Sequence, residues 1–345
     1  DSSPAYWGTS DDVVGECHAD SNFTDNTVDF SQKQSLSSVT LSVHEDDRHD
    51  GTAESGALWK PTSGSGHDQG ILRVSIDSFI GEWLDISMAS LDSANTNKAI
   101  VLTGTNDDCI IRNMLIHDKY GDPGSSGPKG VHCIGAGASS DTLTIQNNIM
   151  YELVETSNDS AVGVSVNSWA GIANLYNNTI YKVTSQGSTK AVAGFTFGLV
   201  ASSVTNLKNN IVSLIAADGA STNLRGYNYR NASATANTAN NLSDDTCHAT
   251  YDAEDMGQSL NDASALIGKT LAQIDFVSTV VGSEDLHIDT DSVCRKAGVD
   301  LGTTLEVNID IDGLDRDATG VTWDIGADQA SVSDAGSPAF MMFLD

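Results

Sequence analysis

The sequence predicts an all-β chain wound as a single-stranded parallel β-helix, a solenoid with an N-terminal and a C-terminal cap, on three observations. Similar segments recur about every thirty residues, each sets asparagine between two short strands, and no long stretch keeps apolar residues at the i, i+3, i+4, i+7 spacing of an amphipathic helix.

The copies are "IIRNMLIHD" (110–118), "LTIQNNIMYEL" (143–153), "ANLYNNTIYKV" (173–183), "TNLKNNIVSLI" (205–215) and a weaker "TANNLSD" (238–244). They align on Asn113, Asn147, Asn177, Asn209 and Asn240, at intervals of 34, 30, 32 and 31 residues. A unit of this length built from short strands and polar turns is a propeller blade, a leucine-rich repeat or one β-helix coil. Blades need four strands in ~40 residues and leucine-rich repeats a dense leucine ladder, so the β-helix remains. In such a solenoid, equivalent residues of successive coils lie one strand spacing apart, ~4.8 Å. A corner needs a residue that tolerates the left-handed conformation, and asparagine does so better than other non-glycine residues. The second asparagines, Asn148, Asn178, Asn210 and Asn241, are expected to take that conformation and to hydrogen-bond up and down as a structural ladder. The first coil has Met114 there, which leaves Asn113 as its only amide.

The elements follow in order. Residues 1–70 read as the N-terminal cap and first strands, with strand-like "SVTLSV" (38–43) and the aromatics Tyr6, Trp7 and Trp59; residues 71–245 read as the coils; residues 246–345 read as C-terminal coils, an insertion and a cap closing the far end. Within the last, "DASALIGKTLAQIDF" (262–276) is the one helix-like run, capped by Asp262 or Ser264 and carrying Leu266, Ile267, Leu271 and Ile274.

Composition narrows the function classes. The 345 residues hold 17 Lys+Arg against 47 Asp+Glu, a formal charge of −30, so phosphate backbones and anionic membrane surfaces are repelled and nucleic acid is not expected as a partner. No apolar run reaches the ~18 residues of a membrane helix, so no membrane insertion is expected. The five cysteines include no C-x-x-C and read as buried thiols. A chain beginning at Asp1 implies an upstream segment that was removed or is missing.

The Asn-Asn repeats resemble the right-handed parallel β-helix repeat family, which includes pectate lyases, polygalacturonases, phage tailspikes and surface proteins. "HEDDRHDGTAESGALW" (44–59) is similar to an N-terminal block of environmental β-helix proteins, and "DIDGLDRDATGVTWDIGADQ" (310–329) to the "D-x-DG…R…DIGA-x-E" ending of those with a surface-anchor module. Gln329 stands where that ending has an acid, and no sorting tail follows. The resemblance spans residues 44–329 and implies a right-handed β-helix acting outside the cell, at a cell surface or on a virion. Its function would be non-enzymatic: recognition of a polysaccharide, or decoration in contact with other virion or surface proteins. A homotrimer would be natural for a viral version. The alternative is a polysaccharide-degrading enzyme, a hydrolase or lyase.

Candidate residues follow from the chemistry of each reading. For hydrolysis, Asp107 and Asp108 of "TNDDC" with His132 of "GVHC" are similar to the Asp-Asp-Cys and Gly-His elements of polygalacturonases, and paired carboxyls are what glycoside hydrolysis requires. The competing reading makes the aspartates turn caps. For elimination, Arg112 would be the base beside Asp107, Asp108 and Asp118. For sugar stacking, "RGYNYRN" (225–231) as a strand puts Arg225, Tyr227 and Tyr229 on one face, with Trp169, Tyr176 and Tyr181 extending the platform, against the competing reading of packed aromatics. No cofactor is expected unless calcium binds at Asp310, Asp312 and Asp315, which place oxygens around a glycine turn without the full EF-hand pattern. His44 and His49 are weaker metal ligands within a charge run.

Overall fold

The computed structural model describes residues 11–24, 27–31, 36–62, 70–89, 98–104, 107–120, 127–135, 137–156, 159–186, 192–198, 203–217, 224–229, 234–247, 263–318 and 322–330. The chain winds as a right-handed parallel β-helix whose coils contribute to three parallel sheets of eight, nine and seven strands. Sheet I runs from Asp12–Cys17 to Thr235–Ala239, sheet II from Leu58–Trp59 to Leu266–Lys269, and sheet III from Val28–Phe30 to Leu224–Tyr229. Register is kept from coil to coil: Arg112 pairs with Gln146, Gln146 with Tyr176 and Tyr176 with Lys208. The interior is one apolar column through all three sheets, including Ile111, Ile145, Leu175, Leu207, Met150, Ile180, Val212, Val164 and Phe195.

The asparagine pair divides its work, and the conformational assignment made from sequence is corrected. The first member turns the corner: Asn113, Asn147, Asn177, Asn209 and Asn240 have φ of 50, 54, 53, 57 and 52°. The second member points inward. Asn148 Nδ2 donates to Asn178 Oδ1, Asn178 to Asn210 and Asn210 to Asn241, each at 2.9 Å. The second proton of each Nδ2 goes to the strand carbonyl of Ile111, Ile145, Leu175 or Leu207, at 2.8–3.1 Å. Each Oδ1 also receives a backbone N–H from the coil before, as from Met114 N to Asn148 at 3.0 Å. Asn148, Asn178 and Asn210 are therefore fully satisfied inside the shaft, the condition for burying them without penalty. A further row lies on the outer face of sheet I, where Asn237 donates to Asn206, Asn206 to Asn174 and Asn174 to Thr144.

Sheet I alternates, as in "TNLK", with one face inward and one toward solvent. Sheet II does not: Ile149, Met150, Tyr151 and Leu153 are all buried, so both its faces are covered. Its cover is the C-terminal segment. Ile274, Phe276, Leu286, Ile288, Ile311 and Ile325 pack on Leu115, Ile149, Tyr151, Tyr181, Ile211 and Leu242, a second core outside the shaft. Residues 297–310 then run back along the corner column as a strap. The outward amide of Asn240 donates to Ala297 O, Asn209 to Val299 O, Asn177 to Val307 O, Asn147 to Ile309 O and Asn113 to Asp310 O, at 2.5–3.1 Å. The expectation was a segment closing the far end; among the described residues of this region Leu266–Lys269 extends sheet II there, while 274–311 and 325–330 pack along the flank. The expected helix of 262–276 is a strand, a single turn Leu271–Ile274 and another strand, Phe276–Val280. Leu266 and Ile267 pair with Leu242 and Ser243, an edge that competes successfully with local helix propensity. Asp262 lies outside the described residues, and Ser264 Oγ accepts from the Asn240 N–H at 2.9 Å.

Replacing Asn178 by leucine strands buried donors and acceptors in two neighbouring coils, and is expected to cost on the order of 3 kcal/mol or more in urea unfolding. Asn177→Ala, which keeps the inner ladder but strains the corner and removes the bond to the Val307 carbonyl, is expected to cost roughly 1–2 kcal/mol. Equal losses would contradict this division of roles.

Candidate functional site

The C-terminal hairpin, Phe276–Val280 and Ser283–Ile288, leans over the N-terminal block and the flank of sheet II, with Thr52 bridged to Asp285. Two adjoining clefts open beneath it. One, of about 670 Å³, is lined by Glu45, Arg48, His49, Trp83, His287 and Asp312. The other, of about 590 Å³, is lined by Glu54, Asp118, Tyr151, Ser278, Ser283 and Glu284. Asp285 belongs to both.

In the first cleft the Arg48 guanidinium lies 4.5 Å over the Trp83 ring. Trp83 itself turns a corner, with φ of 64°, at the position Asn113 takes one coil later. His287 is held between Asp285 at Nδ1 and Asp312 at Nε2, 2.5 and 2.9 Å away. Burial alone would lower its pKa, but hydrogen bonds to Asp285 and Asp312 and the nearby Asp328 charge lift it to about 11. Burial pushes Asp328 up to about 7, against the opposing pull of His287.

The second cleft has a built floor. His117 is buried between Asp85, 2.7 Å from Nε2, and Asp118, 2.9 Å from Nδ1, and stacks on Tyr151 with ring centroids 5.3 Å apart. Desolvation opposes its charge, yet the two carboxylates raise its pKa to about 9, and His117 in turn holds Asp118 below the usual carboxylate range. Glu152 is buried and accepts from the Tyr120 hydroxyl and the Lys182 ammonium. Glu284, 6% exposed, accepts from the Gly282 N–H through Oε2 at 2.8 Å, while its buried Oε1 meets no donor. Burial, and behind it the Glu152 carboxyl, raise its pKa.

Most sequence-predicted site residues fall elsewhere. Asp107 accepts from Thr142 N at 3.1 Å and Asp108 from the Thr142 hydroxyl, so both cap the turn into sheet I; Asp108 has φ of 53°. His132 lies on sheet III with Nε2 3.2 Å from the Asn167 amide, so the three expected catalytic residues serve separate local bonds. Arg112 pairs with Glu82 at 2.7 Å and donates to Leu305 O, tying shaft to strap. The sugar platform is corrected: Trp169 is 0% exposed and Tyr227 2% exposed, both in the interior. Tyr227 stacks on Phe195 and donates to Asn210 O at 3.0 Å, because a strand of a closed prism turns one face into the core. Tyr181 packs edge-on against Phe276 under the C-terminal cover. Tyr176 is half-buried with its hydroxyl on Asn174, and Arg225 donates to Asn228 at 2.7 Å. The Tyr229 side chain lies outside the described residues.

The calcium set does not converge. Asp310 accepts from the N–H groups of Asp312, Leu314 and Gln329, and Asp315 from Asn308 and Asp317 N, while Asp312 joins His287 and Asp328 instead. Burial raises Asp310 to about 6, and Arg316, fully buried, donates to Gly326 O, Ala327 O and Asp328 O. The described residues 310–318 and 322–329 are thus drawn together around one guanidinium. His49 spends both nitrogens on backbone, Nε2 donating to Asn113 O at 2.9 Å and Nδ1 accepting from Gly51 N at 3.3 Å. The cysteines among the described residues carry free thiols, and Cys109, Cys133, Cys247 and Cys294 are buried.

No family model, curated protein or solved structure matches the chain. The parallel β-helix is what the structure establishes, and no helix among the described residues is long and apolar enough to cross a membrane. The column of which only Asp118 was picked out from sequence had one legible signal. Asp118, Glu152, Lys182 and Leu214 each stand five places after the corner asparagine and all have positive φ, 62, 53, 53 and 52°, so they form a column.

The histidine shifts set a pH dependence. A raised histidine pKa means that the folded state holds protons the unfolded state has released, so the stabilisation is complete below about 6.5 and is lost as pH rises through about 9 for His117 and on toward 11 for His287. Unfolding free energy from thermal melts is expected to fall from pH 6 to pH 9.5 with a slope of up to ~1.4 kcal/mol per pH unit per histidine, and His117→Asn should roughly halve it, leaving the His287 share. A melting temperature independent of pH across this range would contradict the assignment.

Proposed function

We propose that this chain is a non-enzymatic surface β-helix, extracellular or carried on a virion, that recognises a saccharide in the clefts under its C-terminal hairpin. The observation that supports this reading is convergence: two adjoining concavities, floored by the buried Trp83 and Tyr151, present Ser278, Ser283, Glu54, Asp118 and Asp285. Hydrogen-bonding groups fixed around a concavity are what sugar hydroxyls select. The carboxylates repel uronic acids, so the ligand class is neutral or amino sugars. A rigid solenoid suits the role because it holds the cleft at fixed geometry on a long shaft.

The test is a glycan array probed with the full chain and with Ser283→Trp, which fills the second cleft from an exposed hairpin position. Signal on neutral or amino glycans is expected to drop at least tenfold with unchanged thermal melting. No glycan signal, or signal indifferent to the substitution, sinks the proposal. One observation favours a second reading, a polysaccharide hydrolase: Glu284 and Asp118 line one cleft with proton affinities pushed in opposite directions. That reading requires new reducing ends from the bound glycan, abolished by Asp118→Asn.

A further inference from the structure

We infer that His18, His44 and Asp47 form a binding site for a divalent transition metal, zinc by class, that staples the terminal strand of sheet I to the coil beneath it. The argument starts from a weak edge. The strand Asp12–Cys17 is the last of its sheet and pairs with Ser38–Val43 alone, in parallel register from Asp12↔Ser38 to Cys17↔Val43. Its residues are exposed or half-buried, Val14 at 64%, so little apolar burial fixes it beyond the ladder.

Both histidines leave this pair of strands at one register position. His18 follows Cys17, His44 follows Val43, and the His44 N–H donates to Cys17 O at 2.9 Å. Their rings stack at 5.0 Å between centroids. Asp47, in the turn Glu45–Asp47, reaches back so that Oδ2 lies 2.9 Å from His18 Nδ1. One ligand atom from each of the three lies within 4.8 Å of the other two. Ligands held 2.0–2.1 Å from a tetrahedral zinc are about 3.3 Å apart, so small side-chain rotations suffice.

The surroundings fit the same chemistry. With Nδ1 of His18 toward the ion, its Nε2 stands 3.7 Å from Glu16 Oε2; with Nε2 of His44 toward the ion, its Nδ1 stands 3.8 Å from Asp46 Oδ2. A carboxylate behind each imidazole is the arrangement that orients metal-bound histidine. Two present bonds are given up: Asp46 N to His44 Nδ1, 3.3 Å long, and His18 Nδ1 to Asp47 Oδ2, whose two atoms become ligands of the same ion. Two imidazoles and one carboxylate select zinc, cobalt, nickel or copper over calcium and magnesium, and leave open positions for water. The chain's charge of −30 raises the local concentration of any cation. All three ligands are partly exposed, His18 at 49% and His44 at 35%, so the ion has an open path.

The experiment titrates metal-free full chain with Zn²⁺ in a calorimeter and repeats it with His18→Ala and His44→Ala, whose exposed side chains leave the fold intact. Wild type is expected to bind one equivalent with an affinity that falls at least tenfold in either variant, and Ca²⁺ or Mg²⁺ should not substitute. Amide hydrogen exchange over residues 12–17 should slow severalfold on adding Zn²⁺ to wild type and remain unchanged in the variants. Absence of binding, or binding that survives both substitutions because zinc sits at His287 instead, overturns the site. Binding lost in the variants without slower exchange overturns the staple.

Discussion

Everything in this molecule depends on a peptide unit that L-residues avoid. Each coil must change direction where sheet I meets sheet II, and it does so through one residue held in the left-handed region, at a steric cost that asparagine keeps small. That conformation turns the amide of the corner residue outward and the amide of its successor inward. The inward amides have no water, so they pair with each other and with strand carbonyls of the preceding coil. The outward amides face an equally strict demand, and the strap carbonyls meet it. One local preference therefore fixes both the winding and the docking of the C-terminal segment.

That docking creates the chemistry of the flank. A sheet covered on both faces cannot leave ionisable groups unpaired at the boundary, and the outer column of sheet II carries Asp85, His117, Asp118, Glu152 and Lys182. Where the cover is apolar, they are buried under it in pairs. Where the hairpin arches away, they border the clefts, so the concavities and the shifted proton affinities share one origin: a polar strip meeting an incomplete lid. The strongly acidic composition contributes little to the winding, because the corner and core residues are neutral. It concentrates instead in the strap and turns, where Asp310, Asp324 and Asp328 surround Arg316.

The winding was legible because identical positions must stack, so a thirty-residue interval in the text is a vertical neighbour in space. The coil through Trp83 was illegible for the complementary reason: with tryptophan at the corner and leucine after it, it lacks the amide that marks the others, though Glu82 pairs with Arg112 in register. Which asparagine turned the corner was misassigned because both amides suit a ladder and only the backbone distinguishes them. The aromatic platform failed because period-two alternation names two faces without saying which is inside, and Tyr227 sits opposite Phe195 in the core. The flank was readable in principle. "NNIMYEL" and "NNTIYKV" are apolar on both faces, which a shaft with bare walls would not tolerate. Asp118 was singled out as an acid, but its partner His117 is held from the other side by Asp85, one coil earlier in the same sheet, and the cleft it borders is completed by a hairpin tip more than a hundred residues later.

The strap has a consequence for the order in which this protein can be made. The coils wind on contacts between neighbours in the chain, so they can stack while the polypeptide is still leaving the ribosome. The segment that covers their corner amides and the apolar wall of sheet II is synthesised only after the last of them. A nascent chain therefore carries a wound shaft with a naked, sticky side until the segment that follows the coils, from Ile274 to Ala330, emerges. Translation that stops before Ile274 would leave a well-wound rod with that surface permanently bare, a form that chaperones and proteases can recognise.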